Sequence, residues 1–300
     1  MAIDPDRATK TFRELRKSMS SLSRRPSPNR VHSLRTRIRR VEATIHALVP
    51  GENREKKCLQ KFLKPIRKRA GKVRDMDVLI VFAASLSNKG DHSCLVQLIE
   101  YLSFERIRLA RHLQHAFFAR QKKVRQGLKR CSALIDRQSA RQNKSHVKNR
   151  KLSADALTTA YSIWAELSEW PRLNASNLHP FRLKIKELRY ILELAEHENE
   201  RFVNALGDVK DAIGEWHDWS ELSRIAAGVL KHGSRCPLMK QVRSNTKEKL
   251  ENALAVSNAF RKQFQSDAVT RSQASSEPRR PQQAGGWQQV HLPRHVLAKH

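Results

Sequence analysis

The sequence predicts an all-α protein built from two related halves. Glycine is scarce, with 10 residues in 300, and the alternation of apolar and polar residues that is typical of strands is almost absent. Apolar residues recur instead at spacings of three and four, as they do on one face of a helix. One basic helical motif also occurs twice, which indicates that a helical unit has been duplicated. We therefore expect two pseudo-symmetric four-helix bundles that face each other across a basic groove.

The repeated motif lies in residues 31–41 (VHSLRTRIRRV) and again in residues 178–188 (LHPFRLKIKEL). Each copy has a histidine, an arginine three residues later and a basic residue four beyond that. At about 100° per residue, these three positions share a sector of roughly 60° on one side of a helix, and apolar residues fill a separate sector. Each helix thus has an apolar stripe that can be buried and a cationic stripe that can face a ligand. The cationic positions are His32, Arg35, Arg39, His179, Arg182 and Lys186.

The first half of the chain is predicted to cover residues 9–135, after a flexible N-terminus of residues 1–8. Ser27 or Asn29 is positioned to cap the motif helix. Gly71 marks either the end of the third helix or a close packing contact. The helices are predicted at residues 9–22, 29–49, 53–70 and 73–87 and from 94 to about 120, with a continuation towards residue 135 left open.

The second half is predicted to cover residues 152–265. Residues 136–151 have almost no apolar side chain and are interpreted as a linker or an exposed helix. Asn177 is the expected cap of the second motif helix, and residues 266–300 are predicted to form a disordered basic tail. The other helices are predicted at residues 152–170, 201–213, 216–231 and 237–264.

A second motif is repeated after the first. Residues 70–75 (AGKVRD) match residues 213–218 (IGEWHD), and the shared pattern is G-x-x-[RH]-D. Two unrelated motifs that recur in the same order at similar spacing indicate duplication more strongly than either motif alone. We expect Asp75 and Asp218 to anchor basic side chains through salt bridges rather than to serve as acids.

The charge of the chain predicts a polyanionic partner. Lys and Arg number 59 against 29 Asp and Glu, for a formal net charge of +30. Positive charges in such excess repel one another in a folded protein, so binding to a polyanion is the simplest explanation of the composition. Arginine binds phosphate in a bidentate manner through its planar guanidinium, and lysine binds it through a compact charge. Because the basic residues of each motif lie one turn apart, each helix offers a ladder of phosphate contacts, and the helix N-termini near the two histidines add a favourable dipole.

Several other classes of protein are not expected. The four cysteines are scattered without a C-x-x-C pair, which argues against a disulfide framework or a zinc ribbon. The chain starts without an apolar signal region, and no apolar run approaches the length of a membrane span. We therefore expect a cytoplasmic protein that does not associate with membranes. His112 and His115 lie one turn apart but lack a third ligand, so no metal site is predicted.

These motifs resemble the CHAD family, the conserved-histidine α-helical domain, over residues 9–265. Four residues depart from the family pattern, and they affect the symmetry of the site. His217 stands where the family often has asparagine, and Glu187 interrupts the basic run. The other two are Gly207 and Lys210. The residues that carry the resemblance are His32, Arg35, Arg39, Arg40, Arg74, Asp75, Asp77 and Val78 in the first half, and His179, Arg182, Lys186, Arg189, Tyr190, Ile213, Gly214 and Asp218 in the second.

The resemblance implies non-catalytic binding of inorganic polyphosphate and association with polyphosphate granules. Each motif histidine either donates to a phosphate oxygen or orients the neighbouring arginines. The predicted polyphosphate-binding residues are His32, Arg35, Arg39, Arg40, Arg74, His179, Arg182, Lys186 and Arg189.

Two other functions are compatible with a basic helical protein. A nucleic-acid-binding protein would hold DNA or RNA through its phosphates without sequence specificity. The cationic stripes carry few aromatic residues for base stacking, and no helix-turn-helix, zinc-finger or RNP pattern is present. An enzyme that acts on phosphate polymers would need a general base, a nucleophile or a metal site, and none converges in the sequence. We therefore expect no catalytic residue and no cofactor.

Overall fold

The computed structural model describes residues 5–20, 22–23, 25–49, 53–86, 92–142, 160–192, 200–230 and 236–276. These residues form nine helices and no strand, so the predicted all-α class is confirmed. The helices are α1 (Pro5–Ser20), α2 (Pro28–Leu48), α3 (Arg54–Ala84), α4 (His92–Phe118), α5 (Gln121–Gln142), α6 (helical over residues 160–168), α7 (Leu178–Leu192), α8 (Glu200–Val229) and α9 (Pro237–Ser276).

Two long helices replace four that were predicted separately. Helix α3 continues through Pro65 and Gly71, and α8 continues through Gly214. A glycine inside a helix costs about 1 kcal/mol, which is less than the burial of apolar residues on both sides contributes. Ala70 and Val73, which flank Gly71 in α3, are both fully buried. The separate helices were therefore a wrong prediction, and the two glycines do not end helices.

Other helix bounds differ by a few residues from the prediction. Helix α1 begins at Pro5 rather than at residue 9, because proline fits the first turn of a helix. A turn at Ala119 and Arg120 separates α4 from α5, which extends to Gln142 inside the predicted linker. Helix α9 continues to Ser276, past residue 266, where we predicted disorder to begin. The predictions for residues 1–4, 143–159 and 277–300 lie outside the described residues.

The expected side-chain caps of the two motif helices are not formed. Ser27 precedes α2 and makes no capping hydrogen bond with its side chain. Asn177 precedes α7, but its Oδ1 accepts a hydrogen bond from the backbone N–H of Asn174 at 2.8 Å. Neither helix has an acidic residue in its first turn. Helix α3, in contrast, is capped by Asn53, whose side chain accepts from the backbone N–H groups of Glu55 and Lys56.

Apolar residues from the first five helices form one core and residues from four helices form another. The first core includes Leu15, Leu34, Leu63 and Phe117, all fully buried. The second joins the end of α3 and the start of α4 to the second part of α8 and the start of α9, through residues such as Leu79, Leu98, Leu222 and Met239. Helix α3 thus belongs to both cores, which fixes the segment that carries the first G-x-x-[RH]-D motif.

The chain divides into two compact units, Met1–Arg261 and Lys262–His300. The first unit contains both copies of both motifs. Of the second unit, the structure describes the end of α9, which is helical to Ser276. None of the described helices is both long enough and apolar enough to span a membrane.

Candidate functional site

The two motif helices separate apolar from cationic residues as predicted. In α2, Leu34, Ile38, Val41 and Ile45 are buried in the first core. His32 is exposed, and the side chains of Arg35 and Arg39 are partly buried. Helix α7 repeats the division: Phe181, Ile185 and Leu188 are buried, His179 is exposed, and Arg182 and Lys186 are partly buried.

In each half, the arginine of the first motif lies against the glycine of the second motif. A Cβ atom added to Gly71 would lie 3.7 Å from Nε of Arg35. A Cβ atom added to Gly214 would clash with Nη2 of Arg182 and would lie 3.1 Å from its Cζ. Nε of Arg182 also donates a hydrogen bond to the backbone carbonyl of Lys210 at 3.0 Å. The missing side chain of Gly214 thus lets the Arg182 guanidinium approach the backbone of α8, whereas the Arg35 contact at Gly71 leaves room for a Cβ atom.

Each motif histidine lies near the [RH] residue of the second motif. Desolvation lowers the pKa of His32, and repulsion by Arg74 and Arg35 lowers it further. In the second half, the rings of His179 and His217 have their centroids 5.2 Å apart. Desolvation lowers the pKa of His179, and His217, Arg182 and Lys186 add to the effect. The same pair of positions is therefore adjacent in both halves, as a duplication requires.

The cationic residues of the two copies influence one another. Helix α2 contacts α7, and α3 contacts α8. Burial lowers the pKa of Arg35, as do Arg39 and the more distant Arg182, while Asp75 opposes these effects. Burial likewise lowers the pKa of Arg182, and Arg39 of the other copy adds to the shift. Both arginines stay charged at neutral pH, because arginine is not deprotonated in proteins. The chain therefore brings positive charges from both copies into one region.

Of the salt bridges expected with basic side chains, Asp218 has a partner in its neighbour His217, whose Nδ1 lies 3.5 Å away, and Asp75 has none among the described residues. Asp75 is partly open to solvent, yet desolvation raises the pKa of its carboxyl group. Arg35 opposes this rise and Asp218 adds to it. Both carboxylates thus act on the arginines at longer range. They offset part of the positive charge without occupying the guanidinium groups.

Lys186 has the most perturbed amine of this region. Burial and the nearby charges of Arg182, Arg39, Arg35 and Lys210 lower its pKa to about 7. None of the described carboxylates forms an ion pair with it. Close by, Nε of Arg39 is buried and finds no hydrogen-bond partner within the described residues. The region therefore holds more positive charge and more donor capacity than its own carboxylates satisfy.

The remaining predicted residues lie around this region. Arg74 is partly buried and acts on His32. Arg189 packs near Gly207, where an added Cβ atom would lie 3.3 Å from its Nη1. Arg40 is exposed on α2, and no contact with a described residue links it to the other cations.

Two residues near the site were missed as site residues by the sequence-based prediction. Lys210 lies one turn before Gly214 on α8 and acts electrostatically on Lys186. His217 lies beside His179. Both belong to the second copy of the G-x-x-[RH]-D region. Their position next to a repeated motif is the signal that could have identified them.

A buried ion pair explains Asp77, the second aspartate of residues 74–78 (RDMDV). Asp77 is 4% exposed and accepts a hydrogen bond from Nε of Arg106 at 2.5 Å. Nη2 of Arg106 donates to the carbonyl of Pro26 at 3.0 Å. The ion pair therefore links α3 to α4, and Arg106 links both to the segment that leads into the first motif helix.

A cavity of about 540 Å³ lies between α3, α4 and α8, beside Asp75 and Asp218. It contains two arginines, but each is paired with a glutamate one turn earlier. Nη2 of Arg108 lies 2.6 Å from Glu105, and Nη2 of Arg224 lies 2.9 Å from Glu221. Because both arginines are paired and four carboxylates line it, the cavity is less suited to a polyanion than the motif helices are, although Lys72 also lines it. No cluster of three metal-ligating side chains occurs in the part of the chain that the structure describes.

Comparison with known proteins gives the family and the fold. A family model, described as CHAD domain, matches residues 6–227. No curated protein matches the chain. The crystal structure of the CHAD domain from the plant Ricinus communis is similar, with a TM-score of 0.57 and 15% identity over 86% of this chain and 89% of that chain. PptA from Streptomyces chartreusis is also similar, with a TM-score of 0.54 and 15% identity over 88% of this chain and 100% of that chain.

Proposed function

Because the chain belongs to the CHAD domain family, we propose that it binds inorganic polyphosphate without catalysis, for association with polyphosphate granules. The binding surface is a basic groove between two facing bundles, lined by the repeated helices α2 and α7. The contact between α2 and α7 and the contact between α3 and α8 support this arrangement. The proposed contacts are made by His32, Arg35, Arg39, Arg40, Arg74, His179, Arg182, Lys186 and Arg189.

The observation that carries the proposal is the unbalanced positive charge where the two copies meet. Arg35, Arg39, Arg182 and Lys186 lie within electrostatic range of one another, and none forms a salt bridge with a described carboxylate. A buried N–H donor without a partner costs about 1–3 kcal/mol. The buried Nε of Arg39 is such a donor. A phosphate oxygen in this region would accept its hydrogen bond and offset the repulsion between the cations.

The N-termini of the motif helices add to this support. Their first-turn N–H groups are not capped by the side chain of Ser27 or Asn177, and no acidic residue competes for them. The N-terminus of a helix favours an anion through these donors and through the helix dipole. His179 lies in the first turn of α7 and His32 directly after the first turn of α2, and both are exposed. An anion that reaches both helix ends would meet both histidines.

A polymer of phosphate fits these features because it presents closely spaced oxygens and no bases. Nucleic acid is the alternative, since a net charge of +30 would hold any phosphate backbone. Stacking platforms for bases require exposed aromatic rings near the cations. Tyr190 is the one aromatic residue that acts on the arginines of the described site, and it is only partly exposed. The site therefore favours a partner that is read through phosphate alone.

Competition binding tests the proposal. The protein is first bound to labelled duplex DNA or RNA at moderate salt, and long polyphosphate is added at equal phosphate concentration. We expect polyphosphate to displace either nucleic acid. If it does not, the nucleic-acid alternative replaces the proposed function.

Incubation with polyphosphate and a divalent metal ion tests the absence of catalysis. We expect no release of phosphate over the rate without protein. If the protein releases phosphate and the Arg35→Ala variant does not, the site belongs to an enzyme instead.

A further inference from the structure

We propose that the amine of Lys186 is acylated by small acyl phosphates, which bind as anions among the arginines around it. The inference deepens the proposed function and rests on it, because the same cations that would hold polyphosphate recruit the acyl donor. It adds a covalent modification site to the binding surface. The features that support it are the surroundings of Lys186, the donors next to it and the protonation of its amine.

The amine of Lys186 is surrounded by cations from three helices. Arg35 and Arg39 act on it from α2, Arg182 from one turn earlier on α7, and Lys210 from α8. The side chain is partly buried, and no carboxylate of the described chain pairs with it. Lys210, in contrast, is paired with Asp211 at 2.7 Å. Lys186 therefore differs from Lys210 in having no carboxylate partner among the described residues.

The arginines beside Lys186 provide donors for a phosphoryl group. The buried Nε of Arg39 is without a partner in the described structure, and arginine N–H groups bind phosphoryl oxygens in a fixed geometry. An acyl phosphate carries its carbonyl carbon one bridging oxygen away from the phosphorus. A phosphoryl group bound to the arginines therefore brings the carbonyl carbon close to the neighbouring amine, which raises the effective concentration of the acyl donor.

Only the neutral form of an amine is nucleophilic. The pKa of Lys186, lowered to about 7 by burial and the surrounding cations, leaves about half of the amine neutral at pH 7, against roughly 0.04% for an ordinary lysine. A bound anion raises this pKa again. An acyl phosphate brings only two negative charges, fewer than the four cations around Lys186. Burial, the largest cause of the lowered pKa, also persists while the donor is bound, so part of the amine stays neutral.

The reaction is balanced without a further reagent. The lone pair of Nζ attacks the carbonyl carbon, and the bond from that carbon to the bridging oxygen breaks. The phosphate leaves with the electron pair of that bond. One amine proton passes to the leaving phosphate, which becomes hydrogen phosphate, and an amide remains on Lys186. Because the amide is neutral, acylation removes one charge from the site, and we expect it to weaken polyphosphate binding about tenfold.

Acetyl phosphate is the probe, and Lys184 is the matched control on the same helix. Nζ of Lys184 lies 2.6 Å from Glu166, and that hydrogen bond raises its pKa. The full-length protein is incubated with acetyl phosphate at pH 7, and tandem mass spectrometry measures acetylation at each lysine over time. We expect Lys186 to react at least about tenfold faster than Lys184 and Lys210. Equal rates at the three lysines in folded protein would overturn the inference.

Two further measurements separate recruitment from amine reactivity. A neutral acetylating ester reports the reactivity of the amine alone, so the preference for Lys186 should be smaller with the ester than with acetyl phosphate. An equal or larger preference with the ester would overturn the recruitment of the anion. Lys186→Arg should remove the fast-reacting site while circular dichroism shows an unchanged helix content. If that variant keeps a fast-reacting lysine in the same peptide, the assignment to Lys186 is wrong.

Polyphosphate binding, measured on unmodified protein, separates this inference from the proposed function. Bound polyphosphate should protect Lys186, because it occupies the arginines and brings enough charge to protonate the amine. If polyphosphate binds but acetylation does not favour Lys186, the acylation inference is overturned and the function stands. If Lys186 reacts selectively with acetyl phosphate but polyphosphate neither binds nor protects, the proposed function is overturned and the acylation site stands.

Discussion

The two copies of the repeated motif share their central contacts and differ in the charges around them. In both, an arginine lies against a glycine of the neighbouring helix, as Arg35 does on Gly71 and Arg182 on Gly214. At three corresponding positions the first copy has an arginine where the second has a lysine or a histidine. Two carboxylates of the first copy have no counterpart in the second. The corresponding positions, first copy before second, are Arg39 and Lys186, Glu42 and Arg189, Arg67 and Lys210, Arg74 and His217, and Asp77 and Ser220.

This divergence gives the two copies different electrostatic properties. In the first copy, Nε of Arg67 lies 2.7 Å from Glu42, and Arg106 is paired with Asp77. In the second copy, the pKa of Lys186 is lowered to about 7 by burial and its cationic neighbours. Arginine cannot respond to pH in the physiological range, whereas such a lysine can. Duplication thus preserved the placement of two guanidinium groups and left the second copy sensitive to protons.

The largest change in stability is expected from breaking a buried ion pair of the first copy, which has no counterpart at the corresponding position of the second. Asp77→Ala removes the partner of Arg106, whose side chain is only 21% exposed. Loss of one partner from a buried pair leaves an uncompensated charge, so we expect the free energy of unfolding to fall by about 3 kcal/mol. Urea denaturation followed by circular dichroism measures it. Ser220→Ala, at the corresponding position, should change stability by less than about 0.5 kcal/mol. Similar losses for both variants would show that the copies do not differ here.

The next effect tests whether both copies bind. Arg35→Ala and Arg182→Ala should each weaken polyphosphate binding about tenfold, and the double variant about 100-fold, because charge-assisted hydrogen bonds contribute about 1.5–3 kcal/mol each. Titration at fixed salt measures the affinities. The control is Arg111→Ala with Arg243→Ala, which removes the same charge from two exposed positions. A double variant no weaker than one of the single variants would assign binding to one copy alone.

A smaller effect tests the titratable amine of the second copy. A bound polyanion raises the pKa of Lys186 from about 7, so binding takes up a proton at any pH between 7 and the raised value. Affinity should therefore fall as pH rises above 7, by up to about tenfold per pH unit. Lys186→Arg stays charged and should flatten this dependence. An unchanged pH profile in the variant would place the titrating group elsewhere.

The smallest effects distinguish the two glycines. An added Cβ atom at Gly214 clashes with Arg182, so Gly214→Ala should displace that guanidinium and weaken polyphosphate binding several-fold. At Gly71 the nearest side-chain atom, Nε of Arg35, would lie 3.7 Å away, which is an ordinary contact. Gly71→Ala should leave binding unchanged and raise the free energy of unfolding by about 0.5–1 kcal/mol, because alanine favours helix. Equal losses of affinity in the two variants would contradict the difference in packing.

The sequence by itself determined the helical class, the duplication and the residues on each stripe. These follow from periodicity, because a helix places residues three and four apart on one face whatever surrounds it. The apolar stripes of α2 and α7 are buried as the spacing predicts. The pairing of the two motifs within each half was visible as order and spacing, although the contact that explains it was not.

Tertiary structure decided what local sequence signals could not. Gly71 and Gly214 carry the same local preference for ending a helix, yet α3 and α8 continue through both, because packing on each side outweighs the local cost. Asp75 and Asp218 were equal salt-bridge candidates, yet only Asp218 has a basic partner, His217, because side-chain distances depend on a geometry that a one-dimensional pattern does not contain. The lowered pKa of Lys186 arises first from burial, then from Arg182 on its own helix and from Arg39 and Arg35 on another. Burial and the charges on α2 act on Lys186 only once the helices have packed together, because charge interactions depend on distance in space.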